Sequence, residues 1–199
     1  MDEPLILASA SPIRKKLLVA AGLPMQVEPA LVDEESLKRV FQVEQRAAAD
    51  CALALAEAKA RQVSGNHRHA LVVGADQILV CGEIWLNKPS DLADARAQLQ
   101  SLRGRTHMLV TAVCVVRKAA RMWHTVSSAK LTMRHFSDAF LDAYLCSEQA
   151  AALGSVGGYC LEERGIQLFA EIHGDYFAIL GLPLLELLSF LRARGALAA

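Results

Sequence analysis

The first residues that could do chemistry form a short turn rich in hydroxyls and cations. Ser9-Ala10-Ser11-Pro12 follows a brief apolar run and precedes Ile13-Arg14-Lys15-Lys16. Ser11 is a typical helix N-cap and Pro12 suits the first helical position, so a helix is predicted to begin here. Free N–H groups and the helix dipole at such a terminus bind phosphates. Ordinary capping is the alternative, but first-turn cations oppose the dipole and so do not stabilise the helix itself.

The second candidate is a carboxylate, Asp76, that comes just after the predicted buried strand residues Ala70-Leu71-Val72-Val73. Open α/β sheets bind ligands outside the ends of their strands, although an Asp in an ordinary turn is also common. Hard divalent cations prefer oxygen ligands. Asp76 and the acids of Val32-Asp33-Glu34-Glu35 could therefore hold Mg²⁺ between protein and phosphates. Their spacing alone does not establish that they meet.

Two isolated lysines complete the candidate set, although surface charge would explain each of them equally well. Lys59 lies in an Ala- and Leu-rich segment, and Lys88 precedes Pro89, which favours an extended backbone at the start of a helix. The glycine-containing segment 154–158 matches neither the P-loop nor the dinucleotide pattern. The chain also lacks a Gly-x-Ser-x-Gly nucleophile elbow, so covalent catalysis has no support.

Composition excludes several classes of protein. The 199 residues are 53% hydrophobic and 21% charged, which is typical of a folded domain, and we expect one domain over residues 1–199. Lys plus Arg and Asp plus Glu number 21 each, so no global positive field favours nucleic acid. The five cysteines lack zinc-finger spacing and are expected to be reduced. An acidic N-terminus and the lack of a spanning apolar run predict a cytoplasmic protein without membrane contact.

Strands and helices alternate early in the sequence, and antiparallel strands are predicted in its middle, so we expect an α/β mixed sheet with flanking helices. The predicted strands are 5–8, 69–76, 78–81, 84–86, 106–116, 122–133, 166–172 and 176–180. The predicted helices are 12–22, about 47–62, 89–104, 137–146 and 183–191. This order places both the serine-rich turn and Asp76 where a strand ends.

Nine short segments, in order, resemble the Maf family of nucleoside triphosphate pyrophosphatases over nearly the whole chain. They are Leu7–Arg14, Val32–Glu34, Ala56–Ala60, Gly74–Asp76, Gly82–Glu83, Asn87–Pro89, Leu102–His107, Gly157–Tyr159 and Gly181–Pro183. The resemblance implies a Maf and inosine-triphosphatase type of α/β fold, with two lobes around a central cleft. It also implies a divalent metal cofactor (Mg²⁺ or Mn²⁺), a homodimer, and hydrolysis of a nucleoside triphosphate to monophosphate and pyrophosphate.

Carried over by the resemblance, Asp76 is the proton acceptor, and Asp76 with Glu34 is expected at the metal. Ser9, Ser11 and Arg14 line the phosphate end in the family pattern. Glu34, Lys59 and Lys88 complete the charged ring of the cleft. These roles agree with the chemistry, because attack of water on the α-phosphorus loads negative charge onto phosphate oxygens and requires fixed cations. Whether Asp76 takes the proton or mainly holds the metal stays open.

Substrate preference depends on three further positions, Ile13, Gln77 and Glu162. In the family that this chain resembles, proteins acting on dTTP and UTP have Arg, Thr and Gln at these three positions. Proteins acting on 7-methyl-GTP have Trp, Gln and Glu there. Gln77 and Glu162 match the second group, and a carboxylate can accept from the N1–H and 2-amino donors of guanine. Ile13 matches neither group. We therefore expect 7-methyl-GTP first, with dTTP or UTP, or a non-hydrolysing regulator of cell division, as alternatives.

Overall fold

The computed structural model describes residues 3–197, which form a mixed seven-stranded sheet with flanking helices. The strands are β1 (Leu5–Leu7), β2 (Gln26–Val27), β3 (Leu71–Cys81), β4 (Ile84–Leu86), β5 (Thr106–Arg117), β6 (Ala120–Met133) and β7 (Phe169–His173). The helices are α1 (Pro12–Ala20), α2 (Glu34–Val43), α3 (Ala48–Asn66), α4 (Leu92–Leu102), α5 (Asp138–Ser147), α6 (Gln149–Gly154), α7 (Tyr176–Ile179) and α8 (Leu184–Ala193). The strand order is β2-β1-β3-β5-β6-β7, and β4 pairs with β3.

The chain divides into two compact units. Among the described residues, the first contains 3–77, Thr111–Ser127 and 176–197, and the second contains Ile78–Val110 and Ser128–Asp175. Strands β3, β5 and β6 each contribute residues to both units.

Parallel pairing organises the sheet of the first unit. Strand β1 pairs in parallel with both β2 and β3, with Leu7 opposite Val73. Strands buried on both faces read as continuous apolar runs, and β1 and the first half of β3 are buried throughout. The carboxyl end of β1 therefore delivers the serine-rich turn beside the middle of β3.

Antiparallel pairing organises the strands of the second unit, where β4 pairs with the end of β3 and β7 pairs with the end of β6. The core of this unit includes a buried aromatic cluster. His107 contacts the Tyr159 hydroxyl through Nε2 at 2.7 Å, and the Phe169 ring packs against both rings. Burial lowers the pKa of His107 to about 4.

Most predicted elements are confirmed, with shifts at their ends. Ser11 and Ser137 are the N-caps of α1 and α5, as predicted. Helix α3 extends to Asn66 rather than Gln62, and α4 begins after Asp91, whose side chain caps it, rather than at Pro89. The last predicted helix is α8, which follows Pro183.

Two expectations about the elements were wrong, and helix α2 was missed. The segment predicted as a strand over 176–180 instead forms α7 over Tyr176–Ile179, followed by a turn at Leu180. An apolar run this short has no periodicity that distinguishes a strand from a helix. Residues 164–168 form a 3₁₀ turn, so the strand predicted from Ile166 begins at Phe169. Helix α2 was not predicted, although Asp33 followed by Glu34 and Glu35 is a recognisable helix start.

Candidate active site

Asp76 lies in the middle of β3 and not at the end of a strand, which corrects the sequence prediction. The strand continues to Cys81 because its second half pairs with β4. The absence of a side chain at Gly74 allows helix α3 to pack against β3 close to Asp76. A Cβ at Gly74 would lie 2.0 Å from the Ala56 carbonyl oxygen and 2.9 Å from Ala60 Cβ, so only glycine lets α3 approach the strand this closely.

This close approach joins Lys59, on α3, to Asp76. Lys59 Nζ donates to Asp76 Oδ1 at 2.5 Å and lies 2.7 Å from Glu34 Oε1. The side chains of Lys59 and Asp76 are 9% and 6% exposed, whereas that of Glu34 is 44% exposed. One ammonium thus bridges two carboxylates, and the three predicted residues come together.

The second oxygen of Asp76 has no such partner. Oδ2 is buried and makes no hydrogen bond with the residues from 3 to 197. A buried carboxylate oxygen left in this state is costly for the folded protein unless it binds something else. It is therefore the atom of Asp76 available to a water, a proton or a cation.

Local capping places Glu34. Asp33 accepts from the Ser36 N–H at 3.0 Å and begins α2, so Glu34 is the first helical residue. The preceding loop is tied to α3 by Gln62, whose side chain bonds both the N–H and the carbonyl of Leu31. Burial raises the pKa of the Glu34 carboxyl, but nearby cations, led by Lys59, outweigh it and hold that pKa below its ordinary value. Glu34 is therefore ionised at neutral pH.

The predicted phosphate-binding turn surrounds the guanidinium of Arg14. Ser9 is buried, and its Oγ accepts from Arg14 Nη1 at 3.1 Å and from the Ser11 N–H at 3.2 Å. Ser11 Oγ caps α1 by accepting from the Arg14 N–H at 3.4 Å. The two serines thus position Arg14 as well as presenting hydroxyls at the start of a helix.

Arg14 also links this turn to the carboxylates. Nη1 donates to the carbonyl oxygen of Ala75, the residue before Asp76, at 2.9 Å, and Nε donates to the Gly181 carbonyl at 2.8 Å. Desolvation lowers the pKa of Arg14, and attraction to Asp76 and Glu34 opposes that effect. Arg14 therefore connects the serine-rich turn to the backbone next to Asp76.

The remaining predicted residues are distributed over both units. Ile13 lies half-buried on α1 next to Arg14, and Gln77 lies one residue after Asp76. Lys88 and Glu162 are exposed residues of the second unit, after β4 and after Leu161. Their roles in catalysis and in base selection stay predictions.

The donor set fits a divalent cation that is shared with a ligand. Within residues 3–197, no group of three or more His, Cys, Asp or Glu side chains has the geometry of a protein-only metal site. Mg²⁺ is commonly held by one or two carboxylates with substrate phosphates and waters supplying the other oxygens. Asp76, with its unpartnered Oδ2, and Glu34 match that pattern.

Two glycines that shape the candidate site lie in the segments that resemble the Maf family. The sequence alone did not indicate what either glycine does. Gly74 sets the distance from β3 to α3, and Gly181, at φ +99°, accepts from Arg14 through its carbonyl oxygen. Thr111 was missed altogether. It is buried on β5 and bonds Gln77, but one polar residue in a long apolar strand gives no specific signal.

Comparison with known proteins decides the family. A family model described as Maf-like protein matches residues 4–194. The chain belongs to the Maf family. Two similar curated relatives cover almost all of this Maf-family chain. A nucleoside triphosphate pyrophosphatase of Paramagnetospirillum magneticum is 50% identical over 96% of the chain and 99% of the relative. A 7-methyl-GTP pyrophosphatase of Rhizobium meliloti is 48% identical over 98% of each chain.

The mixed sheet with flanking helices is the architecture that the Maf resemblance implied. Among residues 3–197 of this Maf-family chain, no helix has both the length and the apolar character needed to cross a bilayer.

Proposed function

We propose that this protein hydrolyses a nucleoside triphosphate between its α- and β-phosphates, releasing the monophosphate and pyrophosphate. The activities for which its relatives are named, at 50% and 48% sequence identity, support this reaction class. The observation that carries the proposal is the position of Lys59 between Asp76 and Glu34, with Arg14 bonded to the backbone one residue before Asp76. Fixed cations beside an unpartnered carboxylate oxygen are what hydrolysis of a phosphoanhydride requires.

In the proposed reaction, a water oxygen forms a bond to the α-phosphorus while the bond to the bridging oxygen breaks. Asp76 Oδ2 orients this water and accepts its proton, and pyrophosphate leaves with the bridging oxygen. Lys59 holds Asp76 through Oδ1, and Oδ2 has no hydrogen-bond partner among residues 3–197, so it is the oxygen assigned to the water. Arg14, held by Ser9 and by two carbonyl oxygens, stabilises phosphate charge without having to reorganise.

Asp76 and Glu34 are the residues that would hold a divalent cation, Mg²⁺ or Mn²⁺. When bound, the cation would neutralise phosphate charge and lower the pKa of a coordinated water. Lys59 lies within bonding distance of both carboxylates, so it keeps them close together and compensates their charge before ligands arrive.

For the substrate, we propose 7-methyl-GTP ahead of dTTP and UTP. Glu162 supports a guanine-type base, and one relative carries the 7-methyl-GTP name. Ile13 departs from both family patterns, since it can neither stack as Trp nor pair as Arg. A homodimer in the cytoplasm, with no nucleic acid partner, stays our expectation, and light scattering of the purified protein tests the dimer.

The test is pyrophosphate release from 7-methyl-GTP, UTP, dTTP and ITP in the presence of Mg²⁺. We expect turnover of at least one nucleotide, and kcat/KM highest for 7-methyl-GTP. Asp76→Asn should lower turnover by about 100-fold or more while the circular dichroism spectrum is retained. The matched variant Asp91→Asn replaces one good helix cap with another and should leave activity unchanged. If no nucleotide releases pyrophosphate, the enzyme assignment is wrong, and tight binding without turnover would instead indicate a regulator.

A further inference from the structure

Gln77, predicted to select the base, has its amide nitrogen committed to the protein. Nε2 donates to Thr111 Oγ1 at 2.8 Å, to the Ala178 carbonyl at 3.1 Å and to the Ile179 carbonyl at 3.0 Å. Carbonyl oxygens only accept, so the amide must direct its NH₂ group, and not its oxygen, at these partners. An NH₂ group has two hydrogens, and all of its donor capacity is used here.

The partners of Gln77 form one small network in the first unit. Thr111 Oγ1 donates to the Ala178 carbonyl at 2.9 Å, and the Gly181 N–H donates to the same carbonyl at 2.9 Å. Ala178 thus collects donors from β3, from β5 and from the turn that follows α7. The network fixes the path of residues 178–181 against the sheet.

The end of this path reaches the candidate phosphate site. Gly181, in the turn after α7, accepts from Arg14 Nε at 2.8 Å through its carbonyl oxygen. The φ of Gly181 is +99°, a value that L side chains rarely adopt, so the turn is held in a special conformation. Gln77 supports that turn at Ala178 and Ile179, respectively three and two residues before the carbonyl that orients the guanidinium.

We propose that Gln77 is a positioning residue for Arg14 and does not read the nucleotide base through its amide nitrogen. The proposal rests on the proposed function, because it assigns Arg14 to the phosphates. It predicts that loss of Gln77 weakens every ligand carrying a polyphosphate, whatever its base. A base-reading residue would instead change the ranking of nucleotides and leave a base-free ligand unaffected.

The first measurement is calorimetric binding of inorganic tripolyphosphate, with Mg²⁺ present, to the wild type and to Gln77→Met. Methionine has nearly the same shape but no donor, so the hydrogen bonds are removed with little change in volume. We expect about tenfold weaker binding of tripolyphosphate. We also expect kcat/KM to fall for every nucleotide turned over, because each carries the same triphosphate.

Two further variants separate positioning from a general loss of structure. Thr111→Val removes the neighbouring member of the network and should weaken tripolyphosphate binding in the same direction. In the double variant the two effects should not add, because both act through residues 178–181. Gln98→Met is the control: Gln98 is a second glutamine, buried where Gln77 is half-buried, and its amide bonds Asp94 on α4 in the second unit. It should leave tripolyphosphate affinity unchanged.

Three results would overturn the proposal. One is unchanged tripolyphosphate affinity in Gln77→Met together with an altered nucleotide ranking, which would identify a base reader. Another is an equal loss of affinity in Gln98→Met, which would indicate general destabilisation. The third is a wild type that does not bind tripolyphosphate. If the wild type binds tripolyphosphate but releases no pyrophosphate from nucleotides, the enzyme assignment fails while the binding comparison still decides the role of Gln77.

Discussion

Lys59 and Asp76 form a buried ion pair, with Nζ and Oδ1 2.5 Å apart and the two side chains 9% and 6% exposed. Such a pair contributes little net stability, because desolvation of both charges offsets their attraction. The unpartnered Oδ2 of Asp76 makes the arrangement more costly still. The pair is therefore better explained by ligand chemistry than by folding.

Replacement of Lys59 by Met should leave the buried Asp76 charge without its partner. We expect the free energy of unfolding to fall by about 3 kcal/mol, because an uncompensated buried charge remains. Turnover of any substrate should fall by about 100-fold or more, because Asp76 is no longer held. Urea unfolding and pyrophosphate release measure the two effects. Arg61→Met on the same helix removes an exposed partner of Glu57 and should change both quantities little.

A methyl group at Gly74 should separate α3 from β3. Gly74→Ala places a Cβ 2.0 Å from the Ala56 carbonyl, so the helix must move and Lys59 must move with it. We expect a loss of about 3 kcal/mol in the free energy of unfolding, together with reduced turnover. Gly65→Ala, at an open position of the same helix, should leave stability unchanged or raise it by up to about 1 kcal/mol. Wild-type turnover in Gly74→Ala would contradict the spacing argument.

The local features of the site could be predicted from sequence, whereas its long-range contacts could not. The N-cap Ser11 with Pro12 gave the start of α1, because capping depends on adjacent residues. The contact of Lys59 with Asp76 spans 17 residues and depends on how a helix packs on a strand. No periodicity in either segment encodes that distance, and only family resemblance placed both residues in one site.

Gln77 shows a second limit of sequence reasoning. The family resemblance assigned Gln77 to base selection, whereas its amide nitrogen bonds carbonyls of residues about 100 positions later in the chain. Those carbonyl oxygens belong to α7, which was predicted as a strand, so their contact with Gln77 was not expected. A side chain's partner is set by tertiary structure, and a residue type at a given position does not specify it.

Ser11→Asp should separate helix capping from phosphate binding. Aspartate is as good an N-cap as serine, and its charge favours the helix dipole, so stability should be retained. The same charge repels a polyphosphate, and KM should rise by about tenfold or more. Ser137→Asp makes the same change at the N-cap of α5 and should leave KM unchanged. Equal KM values for Ser11→Asp and the wild type would remove Ser11 from the phosphate site.

His107 should make the protein less stable as pH falls from about 6.5 to about 4. Burial lowers the pKa of the folded-state imidazole from 6.5 to about 4, so the unfolded chain binds more protons in this window. At about 1.4 kcal/mol per pKa unit, the contribution lost across the window reaches about 3 kcal/mol.

His107→Phe removes the hydrogen bond to Tyr159 and should be less stable near neutrality, but its stability should decline less steeply below pH 6.5. Urea unfolding at a series of pH values compares the slopes, with His173→Gln, at an exposed site, expected to follow the wild type. Parallel curves for His107→Phe and the wild type would show that protonation of His107 does not limit stability in acid.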